Sequence, residues 1–261
     1  MRARKFLAGA SGLSLLGLLA FGAAQPAGAA ESITLPTRHW SFEGFFGTYD
    51  RAALQRGFEV YRQVCSACHS LNMIAFRNLG PDGLGLSDDE VKAIAASYQV
   101  TDGPNDQGEM FQRPGKPSDY IPPPFPNEQA ARAANNGALP PDLSLIAKAR
   151  EGGADYIHAL LTGFVEPPAD FKVLEGMHYN AYFPGHQIAM PPPLSDGAVT
   201  YADGTPATVD QMASDVAQFL TWTAEPKLEN RKQTGVGVVL FLVVLTGMLY
   251  ATKRKVWAAL H

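Results

Sequence analysis

The sequence predicts a mostly α-helical fold: one exported domain of short helices with long Pro/Gly-rich loop insertions, followed by one C-terminal transmembrane helix. Three observations carry this. Apolar residues recur at helical spacing in several short windows, some opened by capping-box patterns, while period-two strand alternation is sparse. The chain holds 20 prolines and 25 glycines, and most of the prolines lie between those windows. Gln233 to Thr252 is a run of 20 residues without a charge. At about 1.5 Å rise per residue such a run spans about 30 Å, the thickness of a bilayer's hydrocarbon core.

The elements follow in order. Arg2, Arg4 and Lys5 precede an apolar stretch from Phe6 to about Ala24, and Ala27-Gly28-Ala29-Ala30 offers a small-residue cleavage site. Residues 1–30 therefore read as a signal peptide, cut after Ala29 or Ala30; the alternative is an uncleaved anchor, since the apolar stretch is long for a leader. Residues 31–232 form one domain by length, without an internal repeat. Leu54, Phe58 and Tyr61 predict a helix over 49–64. Ser87 with Glu90 is a capping box that opens a second helix, containing Val91, Ile94 and Ala95. A third runs over about 127–135, stopped by Asn136-Gly137, with two more over 142–150 and 154–162. The last helix of the domain opens at Thr208 with Gln211 completing a capping box, and its apolar face is Val209, Met212, Val216, Phe219 and Leu220. Between these lies a Pro-rich insertion over 114–126, in which Tyr120, Ile121 and Phe125 predict an ordered loop rather than a mobile one.

The membrane segment covers 233–252 and leaves 253–261 as a tail beginning Lys253-Arg254-Lys255, with Trp257 near the interface. Lys227, Arg231 and Lys232 balance those charges, so orientation rests on the leader: an exported domain leaves the tail cytoplasmic and predicts a bacterial inner-membrane protein with its main domain in the periplasm. The whole chain carries −4, but residues 31–226 hold 24 acidic against 12 basic residues, a net of −12. Such a surface does not suit nucleic acid. It suits a basic partner, although acidity also serves solubility alone.

Cys65-Ser66-Ala67-Cys68-His69 contains the chain's 2 cysteines. C-x-x-C-H is the attachment signature of c-type haem. Two intervening residues let one tight turn present both thiols to the porphyrin's two vinyl groups, and the next residue points its imidazole at the iron. A structural zinc site needs about four Cys or His ligands, and no second Cys pair exists. A thioredoxin-like pair would open a helix, whereas this one follows a helical stretch. For the sixth iron ligand the candidates are Met190, on a loop stiffened by Pro191-Pro192-Pro193, and His186 and His178, which would give a lower potential. Met110 and Met177 are less well placed.

A helix leading into C-x-x-C-H, then loops and short helices, then a C-terminal helix, resembles the order of class I cytochromes c, with Gly57 and Phe58 meeting Phe219 and Trp222 where first and last helices cross. Ordinary core aromatics are the other reading of those side chains. More specific blocks run through most of the chain: Arg56-Gly57-Phe58-Glu59-Val60-Tyr61-Arg62-Gln63-Val64-Cys65, Asp102-Gly103-Pro104-Asn105, Gly108-Glu109-Met110-Phe111 and Arg113-Pro114-Gly115-Lys116, then the stretch from Ala131-Arg132 through Asn135-Asn136-Gly137 to Pro140-Pro141-Asp142-Leu143-Ser144, and Tyr182-Phe183-Pro184-Gly185. With Asp203-Gly204-Thr205-Pro206 and Ala224-Glu225-Pro226 before the tail anchor, the chain resembles the cytochrome c1 family, the haem-bearing subunit of ubiquinol–cytochrome c reductase.

The resemblance implies one haem c, with Cys65 and Cys68 as thioethers and His69 and Met190 as axial ligands. It implies Arg132 near a haem propionate, and Asn135, Pro140 and Pro141 lining the haem edge. It implies an electron carrier without substrate chemistry of its own, within a dimeric multi-subunit enzyme. The partners would be cytochrome b, the Rieske iron–sulfur protein, cytochrome c as acceptor, and membrane lipid. Asp88, Asp89 and Glu90 are docking candidates, and a solvated helix start explains them equally well. The competing readings are a free-standing membrane-anchored cytochrome c, an oxidase-associated carrier, or a haem peroxidase with an open iron position.

Overall fold

The computed structural model describes residues 33–258. The signal-peptide reading of residues 1–30 lies outside them. A buried aromatic cluster, Trp40 stacked on Phe42 at 5.9 Å and Phe42 tilted against Tyr49 at 5.4 Å, leads into α1, Arg51–Gln63. Asp50 caps α1 by accepting from the amides of Ala52 and Ala53 at 2.9 and 3.3 Å. Short 3-10 turns at Cys65–Ala67 and Phe76–Leu79 follow, then α2, Asp88–Ala96, opened by the expected reciprocal Ser87–Glu90 box.

The next element was not legible in the pattern. Strands β1, Gln99–Asp102, and β2, Phe111–Pro114, form an antiparallel hairpin in register Gln99↔Pro114 and Asp102↔Phe111. Neither strand buries a full apolar face, so neither shows the alternation that marks a half-buried strand. Arg113 holds it to the insertion instead, pairing with Asp102 and, at 2.6 Å, with Asp119. The Pro-rich insertion is ordered, as expected: Ile121 is buried, and its amide donates to the Ile74 carbonyl at 3.0 Å.

Helix α3, Glu128–Ala134, is capped by the Asn127 side chain and ends before left-handed Asn136 and Gly137. Helix α4 is shorter than the 142–150 expected and covers only Ile146–Ala149. Asp142 and Ser144 are drawn into hydrogen bonds with the 70–73 segment, which holds 142–145 off helical geometry. Helix α5, Gly153–Thr162, precedes a second small hairpin of β3, His178–Tyr179, and β4, Gln187–Ile188.

Helix α6, Val209–Ala224, starts at Thr208 as expected, but the box there is half formed. Thr208 accepts from the Gln211 amide at 3.2 Å, whereas the Gln211 side chain turns to Asp215 at 3.0 Å. Asp215 is fully buried and is held by a two-pronged Arg56 pair at 2.9 and 3.0 Å, a stronger attraction than the cap offers.

Helices α1 and α6 cross where the sequence placed them. A Cβ on Gly57 would stand 2.1 Å from the Asp215 carbonyl oxygen and 2.7 Å from the Phe219 Cβ, so only glycine permits this approach. Phe58 meets Phe219 at 5.7 Å, and Phe219 stacks on Trp222 at 5.8 Å. These rings sit at the centre of the core, with Leu54, Tyr61, Met212 and Val216 around them.

Helix α7, Leu228–Trp257, is long and apolar enough to cross a membrane, and its middle is exposed. It begins before Gln233 because its first turns belong to the domain. Glu229 accepts from the Tyr49 amide at 2.7 Å and pairs with Arg51 at 2.6 Å, and the Lys232 ammonium donates to the carbonyls of Phe42 and Gly47.

Candidate functional site

Helix α1 delivers the chain straight to the cysteines. The Val64 amide still bonds back to Val60, and the amides of Cys68 and His69 both donate to the Cys65 carbonyl, at 3.1 and 2.9 Å. One tight turn therefore carries Cys65, Cys68 and His69. Both cysteines are free; Cys68 is exposed and Cys65 half-buried. Desolvation, with Cys68 alongside, pushes the Cys65 thiol up to about 12, so it stays protonated as a thiol at neutral pH.

His69 is held from its far side. Its Nδ1 lies 2.8 Å from the Pro141 carbonyl oxygen. A carbonyl only accepts, so Nδ1 carries the proton and Nε2 keeps a lone pair for a metal. Burial lowers the His69 pKa, and the Pro141 bond and Asp142 partly offset this; the balance favours the neutral ring that ligation needs.

The Pro141 carbonyl is itself positioned by a clasp. Asp142 accepts from the Asn72 amide, the Ser70 hydroxyl and the Ser144 amide, each at 2.8 Å. The Ser144 hydroxyl accepts from the Met73 amide at 3.1 Å, and the Leu143 amide donates to the Ser70 carbonyl at 2.9 Å. Burial opposes ionisation of Asp142, yet the bonds from Asn72, Ser144 and Ser70 outweigh it and hold the carboxyl below its usual value. Tyr61 closes the other side, its hydroxyl donating to the His69 carbonyl at 3.0 Å. Sequence reasoning gave Asp142 and Ser144 no role. The available signal was an Asp-x-Ser turn following the proline pair, a local side-chain-to-backbone pattern.

Beside this turn lies an open cleft of about 330 Å³, lined among others by Cys68, Phe125, Asn127, Leu139, Pro140 and Pro141. The structure thus brings five of the expected residues together: Cys65, Cys68, His69, Pro140 and Pro141. The other three do not line this cleft. Arg132 is exposed and turns back to its own helix end, donating to the Gly137 carbonyl at 3.2 Å. Asn135 donates to the Ala131 carbonyl at 2.7 Å. Met190 is half-buried just after β4 and is not among the lining residues. Of its rivals on that loop, His186 has its ring stacked on Tyr179 at 5.8 Å and edge-on to Phe171 at 6.3 Å.

The donor set fits a covalently held haem: two free thiols one turn apart, an adjacent imidazole whose Nδ1 is held by a carbonyl so that Nε2 keeps its lone pair, and an open cleft with apolar and proline walls. It does not fit structural zinc, since no group of three or more His, Cys, Asp or Glu side chains that could hold a metal gathers among the described residues.

Fold and site together define a mostly helical domain built around a C-x-x-C-H turn and carried on a helix of membrane-spanning length. Residues 40–260 match the Cytochrome C1 family. A protein of Bradyrhizobium diazoefficiens named cytochrome b/c1 is 53% identical over 94% of the chain, which spans only 39% of that relative's length. Cytochrome c1 of Rhodospirillum rubrum is 49% identical over 92% of the chain and 93% of its own length. Cytochrome c1-2, a mitochondrial heme protein of Solanum tuberosum, is 50% identical over 95% of both. The chain belongs to the cytochrome c1 family.

Proposed function

We propose that this chain is the electron-transfer haem c subunit of a ubiquinol–cytochrome c reductase, in a respiratory or photosynthetic chain. It takes electrons from the Rieske iron–sulfur protein and passes them to cytochrome c. Family membership over nearly the whole described chain supports the role. The observation that supports it at the site is the His69–Pro141 bond at 2.8 Å, which leaves the Nε2 of a neutral imidazole available to a metal beside both thiols.

One covalently bound haem c supplies the one-electron redox chemistry. Cys65 and Cys68 would hold it as thioethers, and His69 and Met190 would ligate its iron; a thioether ligand favours the ferrous state and raises the potential. Arg132 offsets the charge of a propionate, and Asn135, Pro140 and Pro141 line the haem edge, which limits water there. The chain performs no substrate chemistry of its own; quinol oxidation belongs to the complex. Its partners are cytochrome b, the Rieske protein, cytochrome c and membrane lipid, in a dimeric multi-subunit assembly, with no nucleic acid involved. Residues 1–30 are a cleaved signal peptide. The domain over 31–232 lies in the periplasm, 233–252 crosses the bacterial inner membrane, and 253–261 are cytoplasmic.

Purification in mild detergent tests this. Haem should stay with the chain on a denaturing gel and be lost in a Cys65→Ala, Cys68→Ala variant, and a dihaem cytochrome b and an iron–sulfur protein should co-purify. A haem-staining chain recovered without those two partners is a free-standing carrier instead.

A further inference from the structure

The loop between Trp40 and Tyr49 presents two aromatic rings outward. Phe46 is 83% exposed and Phe45 57%, and the rings meet edge-on at 5.0 Å. Phe46 is the most exposed of the large apolar side chains among the described residues, above those along the middle of α7. The loop is built, not loose. The Glu43 amide donates to the Trp40 carbonyl and the Thr48 amide to the Ser41 carbonyl, both at 3.0 Å. A Cβ on Gly47 would lie 1.9 Å from the Glu43 carbonyl oxygen, so glycine is what lets the turn close. Phe42 and Tyr49, on either side, point into the core. A rigid turn that buries its flanking rings and exposes its tip rings presents those rings to something.

Helix α7 says what lies there. The Tyr49 amide is tied to Glu229, and two residues back toward the tip the Gly47 carbonyl accepts from Lys232 at 2.9 Å. Lys232 comes three residues after Glu229, about 4.5 Å further along the helix axis. It is also the last charged residue before the uncharged run 233–252. The loop therefore descends along the helix toward the membrane, and both its shoulders, Phe42 and Gly47, are bonded to the cation that marks the boundary.

We propose that the Phe45-Phe46 tip inserts into the headgroup–acyl boundary of the bilayer, as a second lipid contact that fixes the tilt and height of the domain on its anchor. Apolar rings at this depth sit among acyl chains while the loop backbone keeps its hydrogen bonds above them. A single helix alone leaves the domain free to rock about one axis; a second contact on one side of the helix removes that freedom.

The test uses the full chain, with its haem and its co-purifying partners, in nanodiscs of phosphatidylcholine and phosphatidylglycerol. Phe46→Cys and Phe45→Cys variants are labelled separately with a nitroxide, with Asp89→Cys on the exposed start of α2 as the aqueous reference and the unsubstituted chain as the labelling background. An unchanged haem absorption spectrum confirms the fold of each. Expected is a reversal of collision accessibility: oxygen exceeds a water-soluble nickel chelate at 45 and 46, and nickel exceeds oxygen at 89. Nickel accessibility at 45 and 46 equal to that at 89 overturns the proposal, because the tip then faces water. Shielding from both reagents also overturns it, because the tip is then buried against another protein subunit.

Discussion

His69 Nδ1 and the Pro141 carbonyl oxygen, 72 positions apart in sequence, are 2.8 Å apart in space. That carbonyl stays in place because Asp142, next along the chain, accepts three hydrogen bonds from Ser70, Asn72 and Ser144. Asp142→Ala removes all three hydrogen bonds. Bonds to a charged group contribute about 1.5–3 kcal/mol each at most, and a donor exposed to water recovers part of that. The variant should lose about 2–3 kcal/mol of stability, read as a lower denaturant midpoint followed at the haem band, with Asp142→Asn falling between it and the parent. An unchanged midpoint in Asp142→Ala would show that the clasp does not hold the histidine turn.

Met190 separates two axial assignments. Its loop also holds His186, whose ring is already stacked on Tyr179 and edge-on to Phe171. With attachment through Cys65 and Cys68 as proposed, Met190→Leu should leave the haem attached. It should also lower the midpoint potential, abolish the methionine–iron ligand-field band and let carbon monoxide bind the reduced protein. His186→Leu should leave band and potential in place. The opposite pattern would assign the sixth position to histidine.

The two helices that frame the core were legible because each carries a strong periodic face, with the Thr208 cap a further signal for α6. Helix α7 was legible from the uncharged run alone, but its start at Leu228 was not, since Glu229 and Lys232 tie its first turns to the domain. The C-x-x-C-H turn was legible because spacing encodes it. Less legible was whatever depends on partners distant in sequence. The Asp142 clasp converts a helix-compatible stretch into a turn. The β1–β2 hairpin buries no full apolar face and is held by Arg113. The Gln211 side chain leaves its cap for a buried carboxylate that only the fold brings near Arg56. In each case a tertiary polar interaction overrides a local preference.

Gly57 sets the approach of α1 to α6. A methyl group there would meet the Asp215 carbonyl oxygen at 2.1 Å and the Phe219 Cβ at 2.7 Å, and neither atom belongs to a flexible side-chain end. Gly57→Ala gains helix propensity of about 1 kcal/mol. Overpacking costs about 1–3 kcal/mol and occasionally more, and backbone contacts this short put the site at the upper end. The variant should be destabilised by about 2 kcal/mol net, visible as a drop in thermal midpoint, with the haem spectrum intact below the transition. A neutral or stabilised variant would mean that the helices slide apart at no cost.

The hairpin and the Pro-rich insertion should part company in acid. The Arg113 guanidinium, and then the Lys116 amide, hold the Asp119 carboxyl down at about 2 from its ordinary 3.8. Arg113 also lowers Asp102. A depressed carboxylate contributes stability that is fully present above its unfolded value, so the Arg113 tie is complete above 3.8 and disappears as pH falls through about 2. These groups are at the surface, so solvent and salt screen the effect and global unfolding should not follow it. The local reporter is the Lys116 amide, which donates to Asp119 at 2.7 Å. Its hydrogen-exchange protection, corrected for intrinsic rate, should fall across that window while amides of α1 and α6 stay protected. Arg113→Gln should move the loss upward toward 3.8, because the cation that depresses Asp119 is gone. Loss at the same pH in both proteins would mean that the Lys116 amide alone sets the carboxylate, and that the hairpin is held by its backbone ladder rather than by Arg113.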